Sequence, residues 1–158
     1  MVHIGIIPDG NRRWCVKNNY KLDTLVEHWP NFVINFLKRI TNNKFKYLKN
    51  IDEVSLYVCS IDNINRNDNT KILIYELLRN LFKIINDPTP YFTEETTTEL
   101  NIILKDLKIN FIGDINILPD DLQTIIQTIK DKCVGTKYIF NLALAYDYNK
   151  DILNFGRD

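Results

Sequence analysis

Asp9, Gly10, Asn11, Arg12 and Arg13 stand in a row directly after the apolar run Ile4-Gly5-Ile6-Ile7 and Pro8. In this order they suit one kind of chemistry, holding a phosphate-bearing ligand together with a divalent cation. A carboxylate such as Asp9 takes Mg²⁺, which prefers oxygen ligands and commonly bridges a carboxylate to substrate phosphates. Gly10 lets the backbone come close to a ligand, and Asn11 offers an amide donor. Arg12 and Arg13 offer guanidinium forks that match phosphate oxygens. Trp14 follows at once and opens a segment that can be helical. The competing reading is structural: Asp9 or Asn11 caps the next helix and the arginines are solvated. For Asp-Gly-Asn alone the cap is the more frequent outcome. Two arginines and a tryptophan directly behind it shift the balance toward a ligand.

A second polar cluster, Ser60, Asp62, Asn63 and Arg66, follows another apolar run over 53–59. In a parallel sheet it emerges on the same edge as Asp9, so Ser60, Asn63 and Arg66 can converge with it on one ligand. Taken by itself, this segment reads more readily as a hydrophilic turn. His28 lies near the start of a helix, where it can point at an anion or pack beside Trp29.

The elements that must position these residues alternate. Strands are expected over 3–8, 53–59, 108–113 and 138–145, all near-continuous apolar runs of the sort found in parallel sheets covered on both faces. Helical spacing fills the gaps over 25–40, 70–85, 93–107 and 119–132. The third of these starts with Thr93-Glu94-Glu95-Thr96, and the fourth has Pro119 at its first position with Asp120 and Asp121 beside it. The alternation predicts an α/β fold, a mostly parallel sheet with helices on both faces, as one domain over 1–158. Asn18-Asn19 and Asn42-Asn43 read as helix ends or turns, and 63–69 as a loop. A helical start over 151–155 is followed only by Gly156-Arg157-Asp158, so the expected architecture is C-terminally incomplete.

Composition narrows the class. Lys plus Arg and Asp plus Glu both number 20, so net charge gives no pull toward nucleic acid and any cationic site is local. Cys15, Cys59 and Cys133 lack metal-site spacing and fit free thiols in a reducing compartment. No run reaches the length of a transmembrane span. The expectation is a cytoplasmic protein, with peripheral docking at a membrane left open.

Together these segments resemble the cis-prenyltransferase family, which includes undecaprenyl diphosphate synthase and dehydrodolichyl diphosphate synthase. The family's opening pattern, H-x-[AG]-x-I-x-D-G-N-x-R-W, is met by His3, Gly5, Ile7, Asp9, Gly10, Asn11, Arg13 and Trp14. Its second block is met by Leu56, Tyr57, Ser60, Asp62, Asn63 and Arg66, and its third by Ile112-Gly113-Asp114 with Leu118-Pro119. Asn141, Leu142, Ala143, Tyr146, Asp151 and Ile152 meet the fourth.

The resemblance implies an enzyme that condenses isopentenyl diphosphate with an allylic diphosphate such as farnesyl diphosphate, forming new double bonds in cis. It implies Mg²⁺ at Asp9, with Gly10, Asn11, Arg12, Arg13, Trp14 and His28 around the allylic diphosphate. Ser60, Asn63 and Arg66 would lie near the reacting ends, Asn63 with a catalytic role. The helices after the first two strands would line a greasy tunnel for the growing chain. Asp120-Asp121 is not the DDxxD of trans-prenyltransferases, because Thr124 stands where its last Asp would be.

Some positions depart from the pattern. Glu27 replaces the glycine before His28, Ile64 replaces a tryptophan, and Asp147-Tyr148 replaces paired glycines. The family's final third has no counterpart. It carries the arginines for isopentenyl diphosphate, an acid that helps bind Mg²⁺, and much of the dimer surface. Two readings therefore stand: a prenyl-elongating enzyme, or a non-catalytic or partner-dependent subunit that binds an allylic diphosphate. Either implies a homodimer, or a heteromer whose other chain supplies those arginines. A phosphate-binding α/β module of another kind is the weaker third.

Overall fold

The computed structural model describes residues 2–41, 51–66 and 69–148, without the side chains of Trp29 and Pro30. Four parallel strands, β1 (Val2–Ile6), β2 (Ile51–Ser60), β3 (Leu107–Ile112) and β4 (Tyr138–Tyr146), form one sheet in the order β1-β2-β4-β3. Helices α1 (Asn11–Lys17) and α2 (Thr24–Thr41) connect β1 to β2. Helices α3 (Ile61–Ile64), α4 (Thr70–Asn86) and α5 (Glu94–Asp106) connect β2 to β3, and α6 (Asp120–Lys132) connects β3 to β4.

The expected parallel α/β sheet is what the chain forms, with element ends shifted by a residue or two. Leu107, expected as the end of a helix, is the first residue of β3. Pro119 sits at the N-cap of α6 rather than inside its first turn. Thr93 caps α5 as expected, its hydroxyl accepting from the Thr96 amide, with Glu94 and Glu95 in the first turn. Asn18 ends α1, and Asn19 follows with φ 58°. Asn42-Asn43, the fourth block's Asp151 and Ile152, and the expected helical start over 151–155 lie outside the described residues.

The two faces of the sheet differ. Ile4, Val54, Phe140 and Ile109 form one cross-strand row, and Ile6, Leu56, Leu142 and Phe111 the next. Both rows face the core that α2, α4, α5 and α6 close with Val33, Leu37, Leu81, Ile84, Leu104 and Ile129. Buried aliphatic side chains such as these contribute roughly 1.5–3 kcal/mol each. The four long helices thus share one face, and a second helical layer does not appear among the described residues.

The opposite face carries Gly5, Ser55, Asn141 and Asn110 in register. Asn141 is 5 % exposed and fully engaged. Its amide nitrogen donates to Glu53 Oε1 at 2.6 Å and to Ser55 Oγ at 3.1 Å, and its oxygen accepts from Asn110 at 2.9 Å. His3 Nε2 lies 2.8 Å from Ser55 Oγ. A buried amide is tolerated when its donors and acceptor are all matched, as here.

The three thiols are buried. Burial pushes Cys59 up and Cys133 to about 11, which keeps both protonated near neutrality. No helix among the described residues is long and apolar enough to cross a membrane.

Candidate functional site

The first polar corner is built by a strand that cannot continue. Pro8 has no N–H to give a neighbouring strand, and the Asp9 amide turns back to the Ile7 carbonyl at 2.9 Å. Gly10 takes φ 94°, a left-handed conformation that side chains resist, and so lets the chain enter α1 at once. The Trp14 amide closes the first helical bond on the Gly10 carbonyl at 2.8 Å. One helical turn sets Arg13 over Asp9, Nη2 to Oδ2 3.0 Å, while Asp9 Oδ1 accepts from the Gly10 amide. Asp9 is not a helix cap: Gly10 occupies that position, with no side-chain cap bond. Asn11 reaches back to the Pro8 carbonyl at 3.4 Å.

Asp9 and Arg13 are 79 % and 80 % exposed. An ion pair this solvated adds at most about 1 kcal/mol to stability, so its groups exchange readily for a ligand's. The α1 helix is short, and the cationic character of the corner rests on Arg12 and Arg13. Trp14 stacks on Tyr20, ring centroids 5.4 Å apart, and remains half exposed.

The second corner is constructed differently. Where a loop was expected, the chain makes the short helix α3 behind a reciprocal cap. The Asn63 amide donates to Ser60 Oγ at 3.2 Å, and the Ser60 amide donates to Asn63 Oδ1 at 3.0 Å. The Ser60 hydroxyl reaches the same oxygen at 3.0 Å. This capping box satisfies donors that a helix start otherwise leaves open. It commits the oxygen of Asn63 and leaves its amide nitrogen as the donor for a ligand.

Because β1 and β2 pair in parallel, Ile6 opposite Leu56, the two corners leave the sheet at one edge. Among the described contacts no hydrogen bond joins them. Arg66 is exposed just after α3, and His28 is exposed in the first half of α2. The alternative packing of His28 on Trp29 lies outside the described side chains. At the same edge Tyr57 and Tyr146 meet edge-to-face, centroids 5.4 Å apart. Neither was singled out for a role by residue type alone, although both fall inside the motif blocks.

Behind this edge, between α2 and α4, lies a cavity of about 30 Å³ lined only by apolar side chains, among them Phe36, Leu56, Leu77, Leu81 and Phe140. It lies where the resemblance implied a tunnel. From α4, Leu77, Leu78 and Leu81 line it, while Ile74 and Ile85 are buried in the core.

The donor set around Asp9 fits a cation of limited kind. Among the described residues no group of three or more His, Cys, Asp or Glu side chains could hold a metal alone. One exposed carboxylate suits Mg²⁺ that completes its shell with water and ligand phosphates.

Residues 7–158 match the model of the Prenyltransf family, whose description is that of undecaprenyl diphosphate synthase. The chain belongs to this family. It is 26% identical over 165 residues to the geranylgeranyl-diphosphate-specific tritrans,polycis-undecaprenyl-diphosphate synthase of Picrophilus torridus, covering 96% of this chain and 53% of that protein. To an isoprenyl transferase of Prochlorococcus marinus it is 29% identical, over 99% of this chain and 51% of the other. A dehydrodolichyl diphosphate synthase complex subunit of Schizosaccharomyces pombe is 25% identical, at 95% and 51%.

Solved structures agree on the fold. Lavandulyl diphosphate synthase from Lavandula x intermedia superposes with TM-score 0.66 at 24% identity, over 98% of this chain and 59% of that one. A probable undecaprenyl diphosphate synthase from Campylobacter jejuni gives TM-score 0.59 at 20% identity, over 96% and 58%. The chain spans about half the length of the curated relatives it matches.

Proposed function

We infer that the chain carries the allylic-diphosphate half of a cis-prenyltransferase and works in elongation of a prenyl chain by isopentenyl diphosphate. The observation that carries this reading is the Asp9–Arg13 corner, formed at the end of β1 inside the region that matches the family. In the condensation the allylic C1–O bond breaks and diphosphate leaves with the electron pair. The terminal double-bond carbon of isopentenyl diphosphate bonds to C1, and a proton leaves its C2. Positive charge therefore grows on the allyl as negative charge grows on the leaving group.

Asp9 is the residue that would hold Mg²⁺, which when bound neutralises the departing diphosphate. Arg12, Arg13 and Asn11 donate to the phosphate oxygens, and Gly10 leaves backbone space beside them. Arg13, paired with Asp9 at 3.0 Å, exchanges that partner for phosphate when the ligand binds. His28, Trp14, Ser60 and Arg66 complete the substrate shell. Asn63, held by Ser60, presents its amide nitrogen toward the reacting end.

A second reading has its own support. One relative is a dehydrodolichyl diphosphate synthase complex subunit, so this chain can be the allylic-binding member of a dimer or heteromer whose other polypeptide brings the isopentenyl half-site. The test is transfer of labelled isopentenyl diphosphate onto an allylic diphosphate with Mg²⁺, comparing the chain with Asp9→Ala. Label in extended product that disappears in the variant is expected for the enzyme. Allylic diphosphate binding that depends on Asp9, without transfer, is the outcome for the partner-dependent subunit. Equal product from both proteins would remove Asp9 from the mechanism.

A further inference from the structure

Exposed apolar side chains such as Ile72 on α4 and Ile102 on α5 stand singly, as on any protein surface. Four others, Ile7, Trp14, Val16 and Tyr20, fall in the one short segment that leaves the end of β1. The packing of α1 explains this. Cys15 is its single buried residue. With successive residues about 100° apart around a helix, Trp14 and Val16 flank Cys15, and Arg13 and Lys17 stand on the side opposite it. The helix thus rests on the fold by one thin strip and gives the rest of its circumference to solvent, Val16 being 78 % exposed. The chain then folds back: Asn19 takes φ 58°, and the Tyr20 amide donates to the Cys15 carbonyl at 2.9 Å. That return lays Tyr20 on Trp14 with the ring planes 9° apart.

The same segment is cationic. Over 7–23 the four cations Arg12, Arg13, Lys17 and Lys21 stand against two acids, Asp9 and Asp23, in a chain whose formal charges cancel. The arrangement of charge and apolar surface says what covers it. A protein–protein interface keeps charge, lysine above all, out of its centre and at its rim. Here Arg13 and Lys17 hold the middle of the exposed surface, and Trp14 and Val16 lie to either side. The headgroup layer of a bilayer takes that mixture at a single depth. Tryptophan and tyrosine settle there with their polar tips in water, and lysine and arginine lay their stems along apolar surface while their charges meet lipid phosphates.

We propose that the exposed face of α1 and the turn after it, with Trp14, Val16, Lys17, Tyr20 and Lys21, docks the chain on a bilayer surface that carries anionic lipids. The docking does not depend on the reading of the Asp9 corner as a diphosphate site. Given that reading, it sets the corner at headgroup depth, where an amphiphile with a diphosphate head and a prenyl tail is concentrated. Neither attraction suffices alone. The apolar area is small, and the surplus of two charges is screened beyond about 8 Å at physiological salt. Peripheral binding of this kind takes both together, so removing either one is a separate test.

The measurement is co-sedimentation of the chain with vesicles of phosphatidylcholine alone and of phosphatidylcholine mixed with phosphatidylglycerol. The mixed vesicles should bind it roughly tenfold or more tightly, and rising salt should erode the difference. Lys17→Gln together with Lys21→Gln should weaken binding to the mixed vesicles by roughly fivefold per cation. Val16→Ser should weaken it by roughly tenfold, whereas Ile102→Ser, at a solitary exposed residue on α5, should leave it unchanged. Saturating inorganic diphosphate with Mg²⁺ should leave vesicle binding in place, because the altered residues lie outside the phosphate corner. Several results overturn the docking: no preference for the mixed vesicles, equal losses from Val16→Ser and Ile102→Ser, or release of the vesicles by diphosphate. A self-association of the chain in solution that Val16→Ser abolishes also overturns it, since the face would then be a protein interface. None of these touches the diphosphate reading, which is judged separately by the binding of inorganic diphosphate without vesicles.

Discussion

The turn after β1 and the turn after β2 are written in similar residues, Asp, Asn and Arg behind an apolar strand, but they are held in opposite ways. Asp9 and Arg13 hold each other in solvent, in an exposed ion pair of the kind that contributes little to stability. Ser60 and Asn63 hold the first turn of a helix, with donor and acceptor used in both directions. A side chain that stabilises the fold is already committed, whereas a weakly held one can turn to a ligand. The division this difference implies is that the first corner can serve a ligand at little cost to the fold, whereas any ligand contact in the second is shared with a scaffold role. Substitutions can separate the two because stability and ligand affinity are independent readouts.

The largest loss should come from a third corner, which shows what a fully locked one looks like. Gly113 follows β3 with φ 117°, and a Cβ there would lie 2.0 Å from the Leu144 carbonyl oxygen. Gly113→Ala therefore combines a left-handed backbone with a clash against the end of β4. It should cost about 3 kcal/mol or more in urea unfolding. A loss under about 1 kcal/mol would mean that the β3 and β4 ends move apart easily, and that the sheet edge is too loose to fix either neighbouring corner.

Asp9→Asn tests the exposed corner from the other side. Removing the charge should weaken binding of inorganic diphosphate with Mg²⁺ by about a hundredfold, since both the cation and its partner group are affected. Stability should change by no more than about 0.5 kcal/mol, as for other surface substitutions. Unchanged affinity together with a clear loss of stability would invert the comparison.

Ser60→Ala is the matching probe of the second corner. Loss of the reciprocal cap should cost about 1 kcal/mol, read by thermal or urea unfolding. Unchanged stability with weaker diphosphate binding would make Ser60 a ligand group first and a cap second.

The two corners also differ in how far residue types foretold them. Both were located correctly at strand ends, because an apolar run broken by Pro8, or ended by Ser60, marks the edge in any α/β sheet. The capping box was equally legible: Ser60 and Asn63 have the required spacing, yet 63–69 reads as loop when weighed by asparagine content alone. Among the described residues, the polar alternation along one sheet face escapes notice for a similar reason. His3 and Gly5 alternate with apolar residues in β1, as do Glu53 and Ser55 in β2, and Lys108 and Asn110 in β3. That period of two marks a sheet with one apolar face. It was masked by the overall richness in Ile, Leu and Val, and β4 is apolar enough to hide it entirely except at Asn141. The tilted contact of Phe36 with Phe140 joins α2 to β4, far apart in the chain, and no local pattern announces it.

Arg13→Ala is expected to have the smallest effect on stability, and it decides whether the Asp9–Arg13 pair matters to the free protein at all. The guanidinium is exposed, its partner lies one turn away on the same short segment, and pairs of this kind contribute about 0.3–0.5 kcal/mol. Unfolding in low and high salt should accordingly differ little between Arg13→Ala and the unaltered chain. Affinity for diphosphate should fall by roughly tenfold, the loss of one charge-assisted contact. Lysine at the same position should restore only part of it, because an ammonium cannot present two parallel N–H groups to one phosphate. A stability loss above about 1 kcal/mol would show that the pair holds the turn in place. The first corner would then be scaffold like the second, and Asp9 would not be available to a cation without loosening the end of β1.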